Sequence, residues 1–201
     1  MSHPIQELSD LFADMPGVGP RQARRIVQFL LRSDARYKKQ LSEGIQSIAE
    51  KISQCAQCFR FDEINAQKLC VLCANKERTS ETLMVIEKDV DIESIEQSDV
   101  YRGAYFVLGG LIPLARQRKN TIAPRVDFLK KRLLHDKAIQ EVVLAFATTP
   151  EGDNTAREIA ALMREHFPTI KVSQLGRGLS LGAEIEYADQ ETIRNAFVGR
   201  H

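Results

Sequence analysis

The chain has 201 residues, of which 43% are hydrophobic and 27% charged, which places it among globular proteins and excludes disordered and fibrous classes. Lys and Arg number 28 against 27 Asp and Glu, a formal net charge of +1, so this is no polycation that coats nucleic acid indiscriminately and any basic surface must be local. The longest uncharged apolar stretch, Gly103 to Ala115, contains Gly109-Gly110 and Pro113 and falls short of the ~20 residues that a membrane span needs. The first residues carry neither a charged n-region nor an apolar h-region. A reducing cytoplasm, where disulfides are disfavoured, is therefore the expected location.

In chain order, residues 5 to 52 read as helical. Ile5, Leu8, Leu11 and Phe12 form one apolar stripe, Ala23, Ile26, Val27, Leu30 and Leu31 a second of 3.6-residue period, and Leu41, Ile45, Ile48, Ala49 and Ile52 a third. Between the first two lies Met15-Pro-Gly-Val-Gly-Pro20, followed directly by Arg21, Arg24 and Arg25. From Met15 to Gln40 seven basic residues face Asp34 alone. Gly17 and Gly19 permit positive φ and close backbone approach, and the amides opening the second helix then point outward, which suits a phosphate. An ordinary helix–helix turn also favours Gly and Pro; the Pro-Gly-Val-Gly spacing and the local charge together favour the phosphate. The segment looks like a helix-hairpin-helix motif, a sequence-independent binder of DNA backbone. Such motifs generally work in pairs and one copy is visible, so the second is expected from another subunit. A helical part of about 50 residues is also near the lower limit for a self-standing core and is expected to bury its stripes against a neighbour.

All four cysteines follow within 19 residues, as Cys55-Ala-Gln-Cys58 and Cys70-Val-Leu-Cys73. Two C-x-x-C turns at this separation fold around a tetrahedral ion, and Zn²⁺ is the expected metal. With four thiolates and no nearby His, no ligand position is left for water, so the zinc would be structural. The competing readings are a disulfide pair or unrelated buried cysteines; neither accounts for the spacing occurring twice.

Beyond the cysteines the pattern changes. Residues 82–87, 104–108, 141–146 and 170–174 are short apolar runs of strand type, and 89–97, 124–135, 153–166 and 189–197 read as helices. The alternation predicts a mostly parallel sheet covered by helices. From Glu81 to Asp99 seven acids outnumber Lys88, and from Arg116 to Lys137 eight basic residues outnumber Asp127 and Asp136. Glu87 ends the first strand, and Glu151-Gly152-Asp153 follows the third. In open parallel sheets ligands collect at the carboxyl ends of strands, and three carboxylates there could hold Mg²⁺. This placement is similar to the Toprim domain of topoisomerases, primases and some nucleases, although Glu-Gly-Asp stands for the usual Asp-x-Asp and no tyrosine is identifiable as a strand-transfer nucleophile. Asp153 capping a helix that begins near Asn154, with Glu151 favoured by the helix dipole, is an equal and compatible reading. No Walker-type phosphate loop occurs, Gly176-Arg-Gly178 reads as part of a sharp loop, and His3, His135, His166 and His201 are isolated.

The order of parts is α/β with small accessory modules: helix-hairpin-helix, four-cysteine zinc finger, Toprim-like parallel domain and a short C-terminal segment. From about Leu8 to Arg200 the chain resembles the RecR family of bacterial recombination mediators, on Met15-Pro-Gly-Val-Gly-Pro-Arg21, both cysteine pairs, Val85-Ile-Glu87, Tyr105-Phe-Val-Leu-Gly-Gly110, Glu151-Gly-Asp-Asn-Thr-Ala156, Gly176-Arg-Gly178 and Glu186-Tyr-Ala-Asp189. It departs from the family's usual residues at Phe106, Gln174 and Ser180. The resemblance implies domains at 1–53, 54–77, 78–173 and 174–201. It also implies a non-enzymatic DNA-binding protein that helps load recombinase at single-stranded gaps with its partners RecO and RecF. Its subunits would form a ring-shaped tetramer built from dimers. Gly17, Gly19, Arg21, Arg24 and Arg25 would face DNA, while Glu87, Glu151 and Asp153 would serve Mg²⁺ or partner docking. Arg116, Arg118 and Lys119 offer a second DNA contact. The alternatives are a Mg²⁺-dependent Toprim nuclease or primase-like phosphotransferase, and a zinc-ribbon adaptor that binds only protein.

Overall fold

The computed structural model describes residues 3–114, 122–179 and 182–200. The chain divides into two compact units, Met1–Ile52 and Ser53–His201.

The first unit is three helices: α1 (Pro4–Ala13), α2 (Pro20–Arg32) and α3 (Ala35–Lys51). Proline opens both α1 and α2, where its missing N–H costs nothing. Asp34 caps α3, its Oδ1 accepting from the Tyr37 amide at 2.6 Å. The α1–α2 pair buries Ser9, Ala23, Val27 and Leu30, whereas α3 buries no residue at all.

The second unit opens with a two-stranded ribbon, β1 (Ile52–Gln54) and β2 (Phe61–Glu63), and the single-turn helix α4 (Val71–Ala74). A four-stranded parallel sheet follows in the order β4 (Ala104–Val107), β3 (Thr82–Ile86), β5 (Glu141–Ala145), β6 (Lys171–Gln174). Val85 pairs with Phe106 on one side and Leu144 on the other. Successive residues of a strand face opposite sides, and both sides are covered. Leu83, Val85, Phe106, Val142 and Leu144 pack with Leu129 and Leu133 of α6 (Ala123–His135) and with Ile159 and Met163 of α7 (Pro150–His166). Met84, Ile86, Tyr105 and Val107 pack with Ile92 of α5 (Val90–Gln97). A 3₁₀ turn (Ile185–Tyr187) and α8 (Gln190–Val198) end the chain. The predicted strands and helices all appear within a few residues of their expected limits. The three-residue strands β1 and β2 have no counterpart in the apolar pattern because they are too short to show a period.

Strand β4 lies at the edge of the sheet, so one side of its backbone has no strand neighbour. Most of its outward carbonyls and the Val107 amide are nevertheless occupied. Arg78 donates to the Gly103 carbonyl from Nε and Nη2 at 3.0 and 2.9 Å, and Arg132 Nη1 donates to the Tyr105 carbonyl at 2.7 Å. The Val107 amide donates to the Cys58 carbonyl at 2.8 Å, and Arg125 Nη1 reaches the Val107 carbonyl at 3.4 Å. Arg78 is itself gripped by Glu96 of α5 through two parallel bonds of 2.8 Å, with the Tyr105 hydroxyl donating to the same carboxylate at 2.6 Å. The Arg78 side chain is 7% exposed and that of Glu96 28%. Replacing Arg78 with Ala should therefore cost about 2–4 kcal/mol, because it strands a half-buried carboxylate and an edge carbonyl together. Arg78→Lys should recover only part of this, since lysine cannot form the fork. Urea unfolding followed by circular dichroism measures both.

Candidate nucleic-acid interface and metal centre

The turn between α1 and α2 is built by its sequence. The Val18 amide donates to the Met15 carbonyl at 3.0 Å across Pro16 and Gly17, and Gly17 has φ +79°. This is a type II turn, with proline at the position it pre-sets and glycine at the one that needs positive φ. Gly19 is the N-cap of α2 and supplies no side-chain acceptor, and no acidic residue lies in the first turn. The helix N-terminus, with its outward amides and positive dipole end, is thus left open to an external anion. Arg21, Arg24 and Arg25 are all exposed and follow the period opposite to the buried Ala23, Val27 and Leu30. The five residues expected at the DNA therefore fall in one turn and the first two helical turns behind it.

The four cysteines meet. Cys55, Cys58 and Cys70 are buried and Cys73 half-buried, all as free thiols, with their sulfurs within 4.8 Å of one another. Cys58 Sγ lies 3.6 Å from Cys70 Sγ, too far for a disulfide of about 2.05 Å. It is close to the edge, about 3.8 Å, of a tetrahedron with Zn–S bonds of about 2.3 Å. The knuckles are backbone-made. The Phe59 amide donates to the Cys55 carbonyl at 3.0 Å, the Ala56 amide to the Lys68 carbonyl at 2.9 Å, and the Cys70 amide to Cys55 Sγ at 3.4 Å. Phe59 and Lys68 take left-handed φ of 65° and 60° to close these turns. Hydrogen bonding from Cys58, then Cys70 and Cys73, holds the Cys55 thiol far below its usual range, while Cys55, Cys58 and Cys70 push Cys73 far above it. Four thiolates can coexist here only around a bound cation, and the donor set fits a closed tetrahedral metal site.

The acids after the strands are arranged differently from the sequence expectation. Helix α7 begins at Pro150, not near Asn154, and its cap is Thr149, whose Oγ1 accepts from the Gly152 amide at 3.1 Å. Glu151 and Asp153 therefore lie inside the first turn, and Asp153 is not the cap. Asp153 is ion-paired with Arg177, which also reaches Glu191 of α8 at 3.6 Å. Glu87 pairs with Lys88 at 3.2 Å. Among the described residues the cysteines are the one group of three or more potential ligands drawn together, and Glu87, Glu151 and Asp153 do not form a second. The neighbouring residues of the same string hold structure. Thr155 Oγ1 accepts from the Ile112 amide at 2.7 Å, Asn154 Nδ2 donates to the Ile112 carbonyl at 3.3 Å, and a Cβ on Gly152 would meet the Ala147 carbonyl at 2.0 Å. Arg177, the partner of Asp153, has no local signal in the sequence; it sits in the Gly-Arg-Gly string, whose glycines point only to a loop. Phe106 is fully buried, edge-on to Phe59. Arg116, Arg118, Lys119 and Ser180 lie outside the described residues.

Comparison with known proteins agrees with this arrangement. The family model described as RecR, helix-hairpin-helix, matches residues 5–49, that of the Toprim domain residues 81–176, and that of RecR, C-terminal, residues 178–201. Recombination protein RecR of Hydrogenovibrio crunogenus is 37% identical, over 98% of this chain and 96% of its own length. The same-named protein of Dehalococcoides mccartyi is 38% identical over 98% and 93%, and that of Xylella fastidiosa 36% over 98% and 96%. The cysteine site predicts one tightly held metal per chain by elemental analysis, lost in Cys70→Ser together with the ordered knuckle. In the acid string, Gly152→Ala should destabilise the protein by more than Thr149→Ala, whose lost cap costs about 1 kcal/mol; denaturation midpoints decide the order.

Proposed function

The chain belongs to the RecR family of recombination proteins, and on that premise we propose that it is a DNA-binding mediator of recombinational repair that works through contact and assembly, without catalysis. The observation that carries the DNA reading is the open α2 N-terminus with Arg21, Arg24 and Arg25 beside it: the donors and charges serve phosphate oxygens and read no base, as a protein acting at gaps of any sequence requires. Gly17 makes the turn and Gly19 leaves the cap position free of a competing side chain. The metal in the cysteine site is read as a structural Zn²⁺ held by Cys55, Cys58, Cys70 and Cys73.

Assembly follows from the first unit. Leu41, Ile45 and Ile48 of α3 are 37%, 60% and 64% exposed. Leu41 and Ile45, with Ile5, Leu8 and Leu31, line an apolar groove of about 450 Å³, and Ile48 lies one turn of α3 beyond Ile45. A second copy of this unit is the occupant we infer, which makes a dimer the building unit of the ring-shaped tetramer and supplies the second hairpin motif. No described helix is long and apolar enough to cross a membrane, so the groove is not explained by a bilayer span.

Glu87, Glu151 and Asp153 are read as part of a docking surface for the basic face of a partner, with RecO and RecF as the partners implied, continuous with the acidic run from Glu81 to Asp99. A Mg²⁺-dependent nuclease or phosphotransferase is the second reading. The guanidinium on Asp153 weighs against it, because a cation already neutralises that carboxylate.

Two measurements test this. On a gapped duplex in Mg²⁺, wild type should give a retarded complex with intact strands, and Arg21/Arg24/Arg25→Glu should lower affinity on the order of tenfold or more. Glu87→Gln should leave it unchanged; nicking that depends on Glu87 would reverse the ranking. In light scattering the wild type should exceed monomer mass at micromolar concentration, and Ile45→Glu/Ile48→Glu should reduce it.

A further inference from the structure

We propose that the groove between the first cysteine knuckle and α6 is a second nucleic-acid site, one that takes unpaired bases of single-stranded DNA. It is separate from the arginine face of α2 and rests on different residues.

The groove encloses about 370 Å³, and its walls include Phe59, Leu69, Phe128, Lys131, Arg132 and His135. Two aromatic rings line it. Phe59, fixed by its left-handed backbone directly after Cys58, stands edge-on to the buried Phe106, with the Arg125 guanidinium 4.0 Å from its centroid. Phe128 lies 5.1 Å from Phe59 and is 46% exposed, although the packing face of α6 is carried by Leu129 and Leu133. Lys131, one turn on, holds its ammonium 5.3 Å from the Phe128 centroid. Every charged residue that lines the groove is cationic. A half-exposed ring with a mobile ammonium over it, in a groove without carboxylates, offers stacking to a base that displaces the lysine side chain and attraction of that lysine to the adjoining phosphate.

Other occupants fit less well. An extended peptide would need a run of free backbone groups to pair with, and on the nearby β4 edge the carbonyls of Gly103, Tyr105 and Val107 and the Val107 amide are already taken by Arg78, Arg132, Arg125 and Cys58. A second copy of the same groove would set Lys131 against its counterpart, a like-charge contact with no acid to relieve it. Duplex DNA keeps its bases stacked on one another, so it can offer phosphate but no free π-face.

The chain contains no tryptophan, so Phe128→Trp places a single indole emitter at the site. Saturating oligothymidylate should quench that emission, and a duplex of equal length should not. Phe128→Ala should weaken binding of oligothymidylate about fivefold or more while duplex affinity stays unchanged. Lys131→Ala should lower the slope of log affinity against log salt for the single strand by about 0.7. When Arg21/Arg24/Arg25→Glu is added to Phe128→Trp, the quenching should persist although duplex binding falls. If duplex binding instead survives those three changes, the reading of the α2 face fails and this one stands. Absence of quenching at saturation, equal quenching by duplex, or unchanged single-strand affinity of Phe128→Ala would each overturn the proposal.

Discussion

The open edge of β4 is the constraint around which the second unit is organised. A parallel sheet of four strands has two such edges, each presenting polar groups that water, another chain or the protein itself must satisfy. Here the satisfaction comes from far along the sequence: Arg78 before the sheet, Arg125 and Arg132 on α6, and the Cys58 carbonyl inside a metal knuckle. The knuckle is therefore more than an appendage. Its first turn supplies an acceptor to the Val107 amide and aims Phe59 at Phe106, so its geometry is read directly by the sheet. Arg132 ties the two together a second time, donating from one nitrogen to Gln57 of the knuckle at 3.1 Å and to Tyr105 of the strand. Phe106 fits this scheme, since a polar ring at a fully buried position against Phe59 would need a partner that the surrounding apolar cluster does not supply.

The same economy of charge explains how a Toprim sheet can serve a protein that performs no chemistry. The carboxyl ends of β3 and β5 still carry Glu87, Glu151 and Asp153, but Asp153, one of the two in the first turn of α7, is held by Arg177, which simultaneously engages Glu191. A carboxylate in the first turn of a helix is already favoured by the dipole, and the guanidinium adds a local partner that a diffusing cation would have to displace. The C-terminal segment is thereby fastened to the sheet through the position where an enzyme of this fold would gather its ligands. What remains outward is negative charge without a nucleophile, a surface suited to recognition by complementary charge.

How much of this was legible in the sequence depended on the range of the signal. Strands β3 to β6 and helices α1 to α3 announced themselves through local period, and the cysteines through spacing, because each is a property of a few adjacent residues. The start of α7 was displaced by one turn because Pro150, Glu151 and Gly152 look like a loop; only the Thr149 cap and the tight approach of Gly152 to Ala147 show that the helix has begun. The arginines of the β4 edge were invisible as such. Arg78 and Gly103 are 25 residues apart, and Arg132 and Gln57 75. In the sequence Arg132 is one more charge in a basic run, and nothing local tells it from Lys131, which is exposed and lies over the Phe128 ring.

The first unit presents the opposite problem, apolar surface without a core to receive it. Its buried apolar side chains, Ala23, Val27 and Leu30, all come from α2, and α3 lies with Leu41, Ile45 and Ile48 in the open. Burying such side chains against the second copy proposed above would be worth about 1 kcal/mol or more each, and in that dimer association and the folding of α3 would be linked. The arginines proposed to face DNA lie on α2, whose opposite face supplies the buried apolar residues of this unit. Whatever fixes α3 against α2 also fixes the orientation of Arg21, Arg24 and Arg25. A lone hairpin of this kind binds phosphate weakly; two held on one assembly act at a high effective concentration toward the same DNA. In the proposed dimer, assembly and DNA binding would therefore be linked through the same small set of apolar residues.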